Sequence, residues 1–378
     1  MKVSVLQENL QKALAAATRA VDSRPTLPVL ANVLIATEDS RLRISATNLE
    51  MSITTWIGAK INEPGSITLP AKTFSELVNN LSPERVDMVL DVATQTVNVR
   101  CGATNSNIKG IDAREFPLVP SGGEPDFSVP ARVLKEMVKH TEFAAAKDDN
   151  RPILTGIYTS IENTLLTMAA ADGYRLAVRT TQLESGIAPK KELVIPSKAF
   201  SEVARLITDE DDQVLVTLPG ERDLVMFQTR NSEISTQLLE GRFPNFRDII
   251  PRGYSTITTI ETQDLLRAAK RAEIFARDEA NSAILMINPP DAPGESGEMQ
   301  IIGRSKERGD LDGILHPTIE GQSIEITFNV RYLIDVLNVI QEDMVQIESN
   351  GAQNPGVVRP QGRDDFVHVI MPMKPPTR

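Results

Sequence analysis

Apolar residues in this chain follow two rhythms. A period of two runs through Val29 to Ala36, Arg41 to Ala46 and Met51 to Ile57, with turn formers between, and predicts antiparallel strands. A period of three to four runs through Leu6, Leu10, Leu14 and Ala17 and predicts a helix over 6–20, entered from the short alternating strand KVSV. The same opening recurs twice: FSV before a helix over Pro130 to Glu142, and TITTI before one over Glu261 to Ala276. A second helix recurs as well. LPAKTFSELVNNL (Leu69 to Leu81) is echoed by IPSKAFSEVARLI (Ile195 to Ile207) and more faintly by FNVRYLIDVLNVI (Phe328 to Ile340). Arg24 and Pro25 return as Arg151 and Pro152, and Phe116 and Pro117 as Phe243 and Pro244, at nearly the same spacing.

The pattern therefore predicts an α+β chain of three similar repeats, each two helices packed on antiparallel sheet. Turn formers at SGGEP and PRGYS set the expected repeats at 1–121, 126–251 and 254–378.

A chain of 378 residues with 41% hydrophobic and 24% charged positions suits several compact domains and no disordered chain. No stretch approaches the roughly 20 apolar residues of a membrane helix, and no apolar leader precedes Glu8, so the expectation is a cytoplasmic protein without a membrane partner. Cys101 is the one cysteine, which excludes an internal disulfide or a cysteine metal cage. Nucleotide loops of the GxxxxGK[ST] type, HExxH and GxSxG are absent. The three histidines, His140, His316 and His368, are too scattered for a shared site, and His140 reads as one more polar helix residue. Asp209 to Asp212 lacks the spacing of a calcium loop and reads as a solvated turn. No enzyme, metal or cofactor is expected.

The net charge of -11 argues against nucleic-acid binding only if charge is spread evenly. It is not. Opposite the apolar stripe, the predicted helices carry Lys12 and Arg19, Lys72, then Arg132, Lys135 and Lys139, then Lys198 and Arg205, then Arg267, Lys270 and Arg271, and finally Arg331. Basic residues outnumber acidic ones on these helices, so the remainder is strongly acidic. Six similar basic helices suit a duplex phosphate backbone contacted without reading its sequence; Arg24 is counted with them. The plainer explanation is that Lys and Arg favour any solvated helix face. An enzyme acting on nucleic acid would need a carboxylate cluster that no repeat offers, and an interaction scaffold would leave the helix charge incidental.

RPTLPVLANVLI (Arg24 to Ile35), AADGYRLAVR (Ala170 to Arg179), GRFPNFRDIIP (Gly241 to Pro251), FNVRYLIDVLN (Phe328 to Asn338) and HVIMPM (His368 to Met373) closely resemble the bacterial DNA polymerase III beta subunits, the replicative sliding clamps. The resemblance spans all three repeats in order. It implies a head-to-tail homodimeric ring around double-stranded DNA, put in place by an ATP-driven clamp loader, that acts as a processivity factor and itself needs no cofactor. It also implies a cleft for clamp-binding peptides of the DNA polymerase III alpha subunit, the loader, and other polymerases and repair proteins. By motif that cleft comprises Leu154, Gly173, Tyr174, Arg175, Leu176, Pro244, Ile249, Val369, Ile370, Met371, Pro372 and Met373. Ordinary core packing is the alternative, weightier for Leu176 and Ile249 than for Met371 to Met373. For the ring interface the resemblance points to Ile274 and Phe275 against Ser106 and Ile108, with Ser106 where similar chains carry a larger apolar residue. A second-copy clamp or scaffold ring with altered partners is the alternative function.

Overall fold

The computed structural model describes residues 1–22, 25–120, 122–148, 150–218, 220, 223–290, 292 and 295–374. They form two compact units, Met1–Lys135 with Lys198–Leu238, and Glu136–Ser197 with Leu239–Arg378.

The first unit holds a five-stranded antiparallel sheet in the order Lys60–Glu63, Lys2–Leu6, Arg85–Asp91, Thr96–Cys101, Thr104–Lys109. Its second sheet has eight strands: Phe127–Pro130, Gln213–Thr217, Leu224–Gln228, Ser232–Gln237, Met51–Gly58, Arg41–Thr47, Asn32–Glu38 and Ser66–Pro70. The join between Ser232–Gln237 and Met51–Gly58 sets Ile234 opposite Ile53, so one sheet runs from the second sequence repeat into the first. Helix α1 (Gln7–Ala17) buries Leu10, Ala13, Leu14 and Ala17, and α2 (Ala71–Asn79) buries Ala71, Phe74 and Val78. Each leucine so buried contributes about 1.5–3 kcal/mol relative to exposure. Leu6, expected on the α1 stripe, ends the preceding strand instead and is 60% exposed. The helix stops at Ala17 and continues as a single 3-10 turn, Thr18–Ala20.

Helix α3 (Ala131–Thr141) begins in the first unit and ends in the second; α4 (Ser197–Leu206) follows the reverse course.

The second unit has a seven-stranded sheet ordered Gly156–Ala171, Arg175–Pro196, Phe366–Ile370, Gly356–Pro360, Met344–Ser349, Thr256–Glu261, Thr318–Gly321. Here again a sheet crosses a repeat boundary, since Arg175–Pro196 of the second repeat pairs with Phe366–Ile370 of the third. A four-stranded sheet, Gly309–Leu315, Glu298–Ser305, Ser282–Asn288 and Ile324–Asn329, packs under α5 (Thr262–Ala276) and α6 (Val330–Val339). Gly303 lets α5 approach closely: a Cβ there would stand 2.4 Å from the Ala272 carbonyl oxygen. Among the described residues no helix is long and apolar enough to cross a membrane.

Candidate functional site

The residues singled out by sequence form a basic set spread over helices of both units and an apolar set on a surface of the second. On the helices, Lys12, Lys72, Arg132, Lys139, Lys198, Lys270 and Arg271 are exposed and form no ion pair among the described residues. The others are exposed but tethered, Arg19 and Arg205 to Glu202, Arg267 to Asp264, and Arg331 to Glu273. Lys135 is tethered as well, with its side chain 42% exposed. Its Nζ donates to Glu210 Oε1 at 2.8 Å, so part of its charge is neutralised by the turn beside it. Arg24 lies outside the described residues. Asp209 to Asp212, read as a solvated turn, are half-buried or exposed, with Asp209 accepting from the Asp211 amide.

The second surface belongs to the second unit and starts from a turn. Gly173 has φ +93, a left-handed conformation that favours glycine, and a Cβ there would stand 2.7 Å from Arg151 Nη1. Asp172 caps the turn, its Oδ1 accepting from the amides of Tyr174 at 2.9 Å and Arg175 at 3.1 Å. Arg175 then folds back into the unit and is only 7% exposed. Its Nε donates to Asp172 Oδ2 at 3.0 Å and its Nη1 to Asp335 Oδ2 at 2.6 Å, while its guanidinium lies 4.3 Å from the Tyr332 ring centroid. Tyr174, pushed outward by the same turn, is 62% exposed. The terminal strand runs antiparallel beside it: Ile370 lies opposite Arg175 and Val369 opposite Leu176. Beyond that strand the Met371 amide donates to the Tyr174 carbonyl and the Met373 amide to the Thr327 carbonyl, each at 2.8 Å.

These contacts divide the expected cleft residues into two groups. Leu154, Leu176 and Val369 belong to one buried cluster with Phe243 and Phe246, and Ile370 is fully buried. They form the floor. Ile249, for which core packing was a strong alternative, is 40% exposed, because the 3-10 turn Phe246–Asp248 puts Phe246 inward in its place. Met371 is 39% exposed, Gly173 and Pro244 are exposed, and Pro372 and Met373 are half-buried. Sequence reasoning missed Asp172, Asp335 and Tyr332 around Arg175. Asp172 carries a signal, an aspartate preceding glycine in a turn, whereas Asp335 sits in a helix far along the chain and carries none.

An ionic layer under the terminal strand completes the support. Arg179 donates to Asp365 and, at 3.3 Å, to Glu136; Arg363 reaches Glu136 at 3.1 Å and also binds Glu342 and Asp365. Burial works against the Glu136 carboxylate, but the guanidiniums of Arg363 and Arg179 outweigh it and hold its pKa below the usual range. His140, expected on a polar helix face, is 2% exposed and stacks on Phe366 at 4.4 Å between centroids. Burial lowers its pKa to about 4, and burial next to Arg175 lowers that of His368 to about 3.

The residues expected at a ring interface lie on one edge strand and on α5. Thr104–Lys109 is the terminal strand of its sheet, with Ser106 half-buried. Ile108 is 7% exposed and lies opposite Val97, with its side chain in the core of its own unit. Ile274 is 50% exposed and Phe275 half-buried on α5, which packs against Gly309–Leu315, another terminal strand.

Three family models match in order: the N-terminal domain of the DNA polymerase III beta subunit over residues 1–120, its central domain over 128–245 and its C-terminal domain over 247–374. The chain is 29% identical to the beta sliding clamp of Bacillus subtilis, over 99% of this chain and all of that protein. It is also 29% identical to the beta sliding clamp of Staphylococcus aureus, over 94% of each. Among solved structures, the DNA polymerase sliding clamp of Bacillus subtilis superposes with a TM-score of 0.92 at 27% identity, covering 99% of both chains. The Pseudomonas aeruginosa sliding clamp bound to griselimycin gives 0.91 at 28% identity over 99% of both.

Proposed function

Since the chain belongs to the DNA polymerase III beta subunit family, we propose that it encircles duplex DNA as a sliding clamp and tethers replicative and repair polymerases to it. The observation that carries this reading is the exposure of basic side chains on all six helices of a chain whose net charge is -11. Such a face attracts phosphates without distinguishing bases, which suits a protein that must move along DNA. The clamp itself does no chemistry and takes no cofactor in this reading, and it works in the cytoplasm.

The domains proposed are 1–121, 126–251 and 254–378, three per chain, with a second copy closing the ring. The terminal strand Thr104–Lys109 of one copy meets the α5 side of its partner, where Ile274 supplies exposed apolar surface. Partners dock on the surface around Tyr174, Pro244, Ile249 and Met371, which suits a peptide with one or two large apolar side chains from the polymerase alpha subunit, the loader or a repair protein.

The test is topological. Clamp loaded on a nicked circle should stay bound through gel filtration and leave when the circle is cut once. Equal retention on the linear form would sink the reading.

A further inference from the structure

In the first unit a groove of about 770 Å3 opens beside α1, and Lys12, Arg19 and Arg205 line it. Next to it Glu202 is 5% exposed, an unusual position for a glutamate unless cations hold it. Two do. Arg205 Nη1 donates to Oε1 at 2.6 Å, and Arg19 Nη1 stands 3.6 Å from Oε2, which has no hydrogen bond of its own. The two arginines come from opposite ends of the unit's sequence, one from the 3-10 turn after α1 and the other from the last turn of α4. Their side chains remain 43% and 56% exposed, and among the described residues neither guanidinium has another ionic partner.

Burying a carboxylate is unfavourable, and an exposed arginine needs no such partner for solubility. What the arrangement achieves is direction. One carboxylate hydrogen-bonds the Arg205 guanidinium and stands within ion-pair range of Arg19, so both turn to one groove with most of their N–H donors open, and Lys12 of α1 adds a third cation to it. Asp209 and Asp212 also line the groove, but their Oδ1 atoms are engaged by the amides of Asp211 and Gln213.

We infer that Glu202 is a positioning residue, and that Arg19 and Arg205, held by it, form a subsite for a phosphate group, supplied by the backbone of duplex DNA. The inference rests on the sliding-clamp reading and adds to it a residue whose charge has the same sign as that of the ligand. That shared sign makes it testable. If Glu202 merely neutralises its neighbours, Glu202→Gln strengthens contact with DNA; if it positions them, the same change weakens contact.

The measurement is anisotropy of a short labelled linear duplex with the full-length protein across a salt series. Glu202→Gln should weaken binding by roughly three- to tenfold, and Glu202→Asp should recover most of the affinity. The double variant Arg19→Ala with Arg205→Ala, made in the Glu202→Gln background so that no unpaired carboxylate stays buried, should weaken binding at least as much and flatten the salt slope. Tighter or unchanged binding by Glu202→Gln, or an unchanged slope in the double variant, overturns the proposal. Inorganic phosphate at matched ionic strength separates the sources: it should leave wild-type duplex binding unchanged, and Glu202-dependent displacement by it would overturn assignment to the DNA backbone. Release of wild-type clamp from a linearised circle is scored alongside. If that control behaves and Glu202→Gln does not respond, only this inference falls.

Discussion

Lys12, Lys72, Arg132 and Lys270 reach solvent from their helices with no ionic partner among the described residues, whereas Tyr174 and Met371 stand on backbone pinned from below. Behind Tyr174 the turn is fixed by Asp172, the buried Arg175 is held by two carboxylates, and the terminal strand is locked into a sheet over an ionic layer. Under the proposed function, the difference follows from what each surface would recognise. A phosphate backbone presents the same charge at every step, so mobile cations acting together suffice and rigid ones would hinder movement. A peptide side chain is recognised once, at one place, and a few fixed apolar anchors carry most of its binding. The Arg19 and Arg205 pair differs from both, since each stands against the one buried carboxylate of Glu202.

The largest effect expected on this contrast comes from Arg175→Ala. It leaves Asp172 without its cation and unseats the turn, so the unfolding free energy should fall by about 3 kcal/mol and peptide binding should vanish, while duplex binding measured at low temperature persists. Denaturant unfolding and calorimetry read both.

Acid should separate the two regions next. All three histidines lie in the second unit. The buried His140 and His368 have pKa values of about 4 and about 3, below that of an unfolded histidine, so the unfolded chain binds protons first. Their contribution to stability is complete above pH ~6.5 and declines as pH falls toward about 4. Hydrogen exchange at pH 5 should therefore show the second unit loosening before the first; simultaneous loosening would contradict the pKa assignments.

Reversing Arg132, Lys139 and Lys270 together is expected to leave both units folded and to reduce the salt slope of duplex binding by about 0.9 for each phosphate no longer neutralised. Lys135 is left out because Glu210 already holds it. The smallest change, Met371→Ala, should cost about 1–2 kcal/mol of peptide affinity with little effect on stability. Truncation must stop short of Val369 and Ile370, whose burial makes them part of the sheet rather than a detachable wall of the cleft.

Much of this was readable from sequence. The echo of Leu69 to Leu81 in Ile195 to Ile207 located α2 and α4, and the strand-then-helix openings located α1, α3 and α5 to within a few residues. These features are local, written in periodicity. Pairing between distant strands is not, which is why the repeats could be seen but the sheets that cross their boundaries could not. Ile234 opposite Ile53 and Leu176 opposite Val369 are set by tertiary packing alone. The same limit hid the burial of Glu202 and His140, both of which sit on helices in polar sequence surroundings. For the proposed cleft, motif resemblance supplied the residues together. Only the structure divided them into a buried floor and an exposed rim.

If one chain carries two binding surfaces of opposite physical character, salt should act on them unequally, and a paired titration on one sample measures this. Affinity for a short duplex and for a clamp-binding peptide from the polymerase would be measured on the same protein sample between about 50 and 200 mM salt, a range over which a protein engaging six to ten phosphates weakens by roughly 10³–10⁵ in affinity. Duplex binding should fall steeply, in proportion to the number of phosphates engaged, and peptide affinity should change by less than about twofold because its anchors are apolar. Parallel decline of both affinities would contradict the division.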